Sequence, residues 1–182
     1  MKVIATNLPE VKIIIPKIFN DERGHFFESY KESKFKEIGI PFYFPQDNHV
    51  FSRKNVIRGL HYQLIKPQGK LVRAIHGEIL DVAVDIRRGS PNFGDHISVR
   101  LSEKNKKMLY VPEGFAHGYS VLSEECIVSY KCTNMYDLKN EHGIIWNDSN
   151  LDIRWEVDNP IISSKDLHLP DLNTQNKLPK FL

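Results

Sequence analysis

The 182-residue sequence predicts an all-β fold, a sandwich or barrel of short strands with a few short helices. The stretch LDVAVDIR alternates strictly, with Leu80, Val82, Val84 and Ile86 on one side and Asp81, Ala83, Asp85 and Arg87 on the other. That is the period-two pattern of a half-buried strand. Similar but less regular segments recur along the chain, and turn residues separate them: Pro67 and Gly69, Gly89 and Pro91, Pro112 and Gly114.

In chain order, strands are expected over 11–15, 24–30, 71–75, 80–87, 96–101, 107–111, 119–121, 125–131 and 144–146, with strand-like backbone also around Arg58, His61 and Lys70. Residues 32–38 read as the one good short helix, polar around Phe35 and Ile38 and stopped by Gly39 and Pro41. From Ser163 the tail is polar and carries Pro170 and Pro179, so loops and one helical turn packed on the barrel are expected. With no repeat, linker or low-complexity segment, residues 1–182 read as a single domain.

The charge balance is nearly even, 25 basic against 23 acidic residues, so no global field draws in nucleic acid. Any anion binding must come from local clusters. The sequence has no signal-peptide pattern and no apolar run near the roughly 20 residues a spanning helix needs, which points to a cytoplasmic protein without membrane contact. Cys126 and Cys132 lack the spacing of a zinc site or disulfide framework and read as reduced, partly buried thiols. Trp146 and Trp155 read as core rather than as a ligand platform.

Two stretches carry chemistry. In VIRGLHYQLIKPQGKLVR, residues 56–73, a guanidinium (Arg58), an imidazole (His61) and an amine (Lys70) lie close together, a set suited to proton chemistry on a charged substrate. In VPEGFAHGY, residues 111–119, the Pro-x-Gly-x-x-His pattern reads as a turn delivering His117 into the mouth of a barrel. His117 there reads equally well as a substrate contact or as a residue that pins the turn.

The segments DERGHFFESY, FPQDNHV, VIRGLHYQ, PQGKLVR, SPNFGDH, VPEGFAHGY, YKCTNMY and GIIWND, in this order and spacing, closely resemble the dTDP-4-dehydrorhamnose 3,5-epimerase family over nearly the whole chain. The resemblance implies a cupin-type fold, a jelly-roll double-stranded β-helix barrel, and an isomerase that needs no cofactor. Its substrate would be a nucleotide-diphosphate 4-keto sugar, inverted at C3 and C5 through an enolate. By resemblance, His61 is the base, Asp166 its dyad partner, Lys70 the cation facing the ketone oxygen, and Tyr130 the proton donor on the other face. Arg23 and Arg58 match the pyrophosphate positions, and Glu28 matches a residue orienting substrate or Arg23. Gln46, Asn48 and Lys165 match polar contacts to the nucleotide, with Asp47 contributing by its backbone; Lys165 reads equally as a solvated tail lysine. Tyr136 matches a residue stacking on the base, with core packing as the alternative, and Glu141 and His117 complete the lining. The family further implies a homodimer whose N-terminal strands cross, bringing Arg23 and Glu28 of one subunit to the other's site.

Two other classes fit less well. A metal-dependent cupin dioxygenase needs a His-x-His pair, but His61 is followed by Tyr62 and Gln63, so no metal site is expected. A non-catalytic sugar-binding cupin would be expected to lack the base, acid or lysine, and all are present here. Within the family, Met135 beside Tyr136 and the stretch YDLKNEHG sit where the base would be recognised, so the alternative reading is an epimerase acting at C3 and C5, at C3 alone or at C5 alone on a different nucleotide-linked 4-keto sugar, such as a GDP-4-keto-6-deoxyheptose.

Overall fold

The computed structural model describes residues 1–41 and 43–181. Its strands are β1 (Lys2–Ile4), β2 (Lys12–Ile15), β3 (Phe19–Asp21), β4 (Gly24–Phe26), β5 (Gln46–Arg53), β6 (Ile57–Gln63), β7 (Lys70–His76), β8 (Glu78–Asp85), β9 (His96–Ser102), β10 (Met108–Val111), β11 (Phe115–Val121), β12 (Glu125–Cys132) and β13 (Glu141–Gly143), with one short helix, α1 (Glu32–Glu37). A six-stranded sheet in the order β1-β2-β10-β7-β12-β5 faces a five-stranded sheet in the order β13-β6-β11-β8-β9. This is the cupin-type jelly roll. Pairing between the main strands is antiparallel throughout.

The chain builds apolar layers on both sides of the sheets as well as between them. Between the sheets, Val72, Leu109, Val111 and Val128 meet Ile79, Ala83, Leu101, Phe115 and Val121. Outside the five-stranded sheet, Leu80, Val82, Val84 and Ile86 pack against Leu151, Trp155, Leu172 and Leu178 of the C-terminal tail. Outside the six-stranded sheet, Phe35 and Ile40 cover Ile14, Leu71, Met108 and Tyr110. Trp155 is core, as expected, and Trp146 packs beside it while accepting the Trp155 indole N–H on its carbonyl at 2.7 Å.

Several strand expectations need correction. The 80–87 stretch is buried on both faces, because the tail takes the apolar face and the barrel interior takes Asp81, Ala83 and Asp85. The expected strand over 24–30 shrinks to a hairpin of β3 and β4, exposed at every position. The expected strand over 144–146 lies earlier, at β13. After Ile144 bonds to Leu60 the chain leaves β6, and the Ile145 N–H donates to the carbonyl of Pro170 in the tail. β5, unread in the sequence, alternates polar residues inward (Gln46, Asn48, Ser52) because the barrel end it borders is polar. His117 sits within β11 rather than at a turn; the turn ends at Gly114, whose φ is +87°.

One irregularity positions the site. Strict alternation would put Arg58 and His61, three residues apart, on opposite faces of β6. The β6–β11 register instead pairs His117 with His61 and Tyr119 with Arg58, so β6 carries one extra residue there. Gly59, at φ +124°, takes up that bulge, and Leu60 turns outward into the tail-side core. The neighbouring strand must come close, and Gly118 allows it: a Cβ at Gly118 would lie 2.7 Å from the Arg58 carbonyl oxygen. Gly118→Ala should therefore destabilise the fold by roughly 1–3 kcal/mol through overpacking against backbone. Urea unfolding checks this, and an unchanged midpoint would show that the strands are free to separate.

Candidate active site

The cavity lies at one end of the barrel interior, has a volume of about 460 Å³, and is lined by Arg58, His61, Lys70, His117, Tyr130, Lys165 and Asp166 among others. His61 and Arg58 come from the five-stranded sheet, whereas Lys70 and Tyr130 come from the six-stranded one, so the two walls carry different groups. Apolar Val50, Val56, Ile57, Ile161 and Ile162, with Tyr119 and Ser163, complete the lining.

His61 Nε2 lies 2.7 Å from Asp166 Oδ1. Asp166 starts a single 3₁₀ turn, the helical turn expected in the tail, and is almost wholly buried. Burial pushes its carboxyl up, but the His61 hydrogen bond and charge together with the Gly59 amide outweigh it, so the net shift is down. A carboxylate at Nε2 favours the tautomer with its proton there and leaves the Nδ1 lone pair as the acceptor. The pairing makes His61 a competent base.

His117 stands next to His61 across the β6–β11 ladder and has its own carboxylate: Nε2 is 2.8 Å from Asp81 Oδ1. Burial lowers the imidazole, Asp81 only partly offsets this, and Lys70 and His61 lower it further, so His117 is held neutral. Asp81 is 0% exposed, and its second oxygen has no hydrogen-bond partner. Sequence reading put Asp81 on the solvent side of β8. Nothing within 80–87 marks Asp81 as buried; the signal lies in its partner, His117 on the next strand of the sheet, because a carboxylate is buried only when paired.

Lys70 has no hydrogen bond or ion pair to its amine among the described residues. Burial lowers its pKa, opposed by Cys132, Asp81 and Glu141. Its charge is thus poorly solvated and directed at whatever fills the cavity. Tyr130 has its phenol pushed up to about 12, by burial first and then by Cys132 and Tyr119, with Arg58 opposing. It stays a proton donor at any working pH. Cys126 and Cys132 are both buried free thiols; burial takes Cys126 up to about 12 and raises Cys132 despite Lys70 beside it.

A second polar chain runs round the mouth. Glu141 accepts from Lys165 Nζ at 2.7 Å and from the Tyr136 hydroxyl at 3.0 Å. Gln46 accepts from the Tyr136 amide at 2.7 Å and donates to Asn48 at 3.1 Å. Tyr136 is 49% exposed, so it is not core. Gln63, unread in the sequence, fixes this loop by donating to the Met135 carbonyl and accepting from the Asp137 amide. Asp47 points to the outer face, where it pairs with Lys131 at 2.7 Å; only its backbone faces the site's strand ladder. Arg23 and Glu28 do not reach this cavity within the chain. The Arg23 side chain is 85% exposed and pairs with Asp21, and Glu28 pairs with Lys31 and Lys34. Among the described residues no group of three His, Cys, Asp or Glu side chains is arranged to hold a metal ion.

The family model for dTDP-4-dehydrorhamnose 3,5-epimerase matches residues 5–174. The chain belongs to that family. It is 52% identical over 171 residues to the dTDP-4-dehydrorhamnose 3,5-epimerase of Shigella flexneri, covering 92% of this chain and 94% of that one. The Salmonella typhimurium enzyme of the same name is 51% identical, with 95% and 96% covered. In structure it resembles the dTDP-6-deoxy-D-glucose-3,5-epimerase of Legionella pneumophila Philadelphia 1 in complex with dTDP-4-keto-L-rhamnose. The TM-score there is 0.97 at 45% identity, over 100% of this chain and 98% of that one.

For this epimerase-family site, the Lys70 amine should titrate below the ordinary lysine value of ~10.4, since burial disfavours the cation. Asp81→Asn should lower it further by removing an anion that favours the charged form. NMR titration of ¹³C-labelled lysine reads both shifts. A Lys70 resonance titrating as an ordinary lysine would contradict the electrostatic account.

Proposed function

We propose that this chain is a dTDP-4-dehydrorhamnose 3,5-epimerase, converting dTDP-4-dehydro-6-deoxy-D-glucose to dTDP-4-dehydro-L-rhamnose. The observation that carries the reading is the division of the cavity: a carboxylate-paired imidazole on one sheet faces a phenol and an amine from the other. Inversion requires a proton to leave one face of a carbon and return to the opposite face, and a base and an acid from two walls meet that need.

C3 and C5 both flank the C4 ketone, so one oxyanion-stabilising group serves both. His61 Nδ1 takes the proton from carbon, and the electron pair moves onto the C4 oxygen as an enolate. Lys70 holds that oxygen by its charge, while neutral His117, its proton committed to Asp81, offers its other ring nitrogen as an acceptor to a substrate hydroxyl. Tyr130 gives its proton to the same carbon from the other wall, inverting it. Asp166 keeps the His61 ring oriented and stabilises the imidazolium that forms.

The diphosphate is assigned to Arg58, whose fork suits two-pronged phosphate contacts, and the base to Tyr136, with Gln46, Asn48, Glu141 and Lys165 around it. Arg23 and Glu28 belong to the same function through a homodimer. The β3–β4 hairpin that carries Arg23 forms a separate two-stranded sheet, is exposed at every strand position and leaves Phe19 and Phe26 on the surface, and a two-stranded hairpin is marginal alone. Packed against a second copy, it would deliver Arg23 to the partner's cavity. The protein acts in the cytoplasm on this reading. No helix among the described residues is long and apolar enough to cross a membrane.

His61→Ala should abolish exchange of the substrate's C3 and C5 hydrogens with deuterated water, while Tyr130→Phe should still exchange yet fail to accumulate inverted sugar. Lys70→Ala should slow both events about a hundredfold or more, the effect of one lost oxyanion contact. NMR of the cognate 4-keto sugar reads all three variants. Undiminished exchange in His61→Ala would eliminate this mechanism.

A further inference from the structure

The segment Met135–Asp137, which presents Tyr136, belongs to no strand or helix, so its shape depends on the side chains that bond to it. Before it, the Asn134 carbonyl accepts from Gln68 Nε2 at 2.8 Å, and the Asn134 side-chain amide donates to the Pro67 carbonyl at 2.7 Å. After it, Asp137 caps the 3₁₀ turn at Leu138–Asn140 by accepting the Lys139 amide on its carboxylate. Between these anchors, three backbone groups bond to two glutamines. The Tyr136 N–H donates to Gln46 Oε1 at 2.7 Å, the Met135 carbonyl accepts from Gln63 Nε2 at 3.2 Å, and the Asp137 N–H donates to Gln63 Oε1 at 2.8 Å.

Gln63 has the more demanding part. It is 6% exposed and lies two residues beyond His61 on β6, so the two share a face of the strand. Its amide grips the carbonyl before Tyr136 and the N–H after it, as one residue of a parallel strand grips its neighbour. The other Nε2 proton goes to the Lys66 carbonyl at 2.6 Å, which ties the β6–β7 loop to the same segment. Only a neutral amide serves all three partners, with two donors for the carbonyls and an acceptor for the N–H. Glu141, the ladder partner of Gln63 on β13, accepts the Tyr136 hydroxyl at 3.0 Å. The pair thus fixes Tyr136 at both ends while its ring stays half exposed. An aromatic face held this firmly and left open is preorganised for a ligand.

We propose that Gln63 is a positioning residue for nucleotide recognition, holding Tyr136 in the orientation that stacks on the base. The inference rests on the assignment of the base to Tyr136. Met135 and Tyr136 lie at the surface, so without the Gln63 amide the freed backbone groups meet water and the fold survives. The single ring orientation is what is lost, and nucleotide binding then has to order the loop itself. The hydrogen bonds of Gln63 go to Lys66, Met135 and Asp137, none of which takes part in the proton transfers. An interaction made equally before and during the chemical step governs KM and leaves kcat alone.

Gln63→Met, an apolar side chain of similar length, tests this beside Tyr136→Ala and the double variant. Calorimetry reads dTDP affinity, and NMR in deuterated water reads exchange and turnover of dTDP-4-dehydro-6-deoxy-D-glucose. Gln63→Met should weaken dTDP roughly tenfold and raise KM by a similar factor, with kcat and exchange at saturating substrate within about twofold of wild type. Tyr136→Ala should weaken dTDP at least as much, and adding Gln63→Met to it should change the affinity less than twofold, because the ring being positioned is gone. Gln63→Asn, which withdraws the amide by one carbon, should lose affinity in the same way and serves if the methionine variant does not fold. Wild-type dTDP affinity in the single Gln63 variants would overturn the inference. So would kcat falling along with affinity, or a fully additive loss in the double variant, since either marks a general structural role. Undiminished dTDP binding by Tyr136→Ala would instead remove the base assignment, and this inference with it.

Discussion

The site depends on one extra residue in β6. Without the bulge at Gly59, the pleat would send either Arg58 or His61 into the tail-side core, where no substrate could reach it. With it, guanidinium and imidazole share a wall, and Asp166, carried in by the tail, reaches the imidazole from beside the Gly59 amide. Both glycines at this crossing serve the same geometry: Gly59 adopts a backbone angle closed to other residues, and Gly118 gives way to its carbonyl neighbour.

A barrel interior that holds an amine, two imidazoles and two carboxylates largely away from water has to pair its carboxylates. The carboxylates are distributed one per imidazole, Asp166 to His61 and Asp81 to His117. Among the described residues the amine of Lys70 is left without a direct partner, so on the proposed mechanism its field is available to a developing enolate rather than spent on a resting ion pair.

Much of this was legible in the sequence. The motifs around Arg58, His61, Lys70 and Tyr130 named groups that do share one cavity, and the turn-punctuated strands named the architecture. What escaped was orientation. Alternation in 80–87 identified a strand and its two faces, but not that a C-terminal tail would claim the apolar face and turn Asp81 inward. β5 was hidden because a strand bordering a polar cavity lacks the apolar face on which periodicity depends. His117 looked like a turn residue because Pro112 and Gly114 mark the turn while saying nothing of where the following strand begins. Arg23 and Glu28 lie away from the cavity of their own chain, a fact that no spacing within one sequence encodes.

The central claim is that base and acid act from opposite walls on carbons flanking one ketone. Wild-type protein turning over dTDP-4-dehydro-6-deoxy-D-glucose in deuterated water tests it directly, by NMR of configuration and isotope content at C3 and C5. The account predicts a solvent deuteron and inverted configuration at both carbons in the product. Inverted product that retains its original hydrogen at either carbon, or deuterium incorporated only with retention, would contradict it.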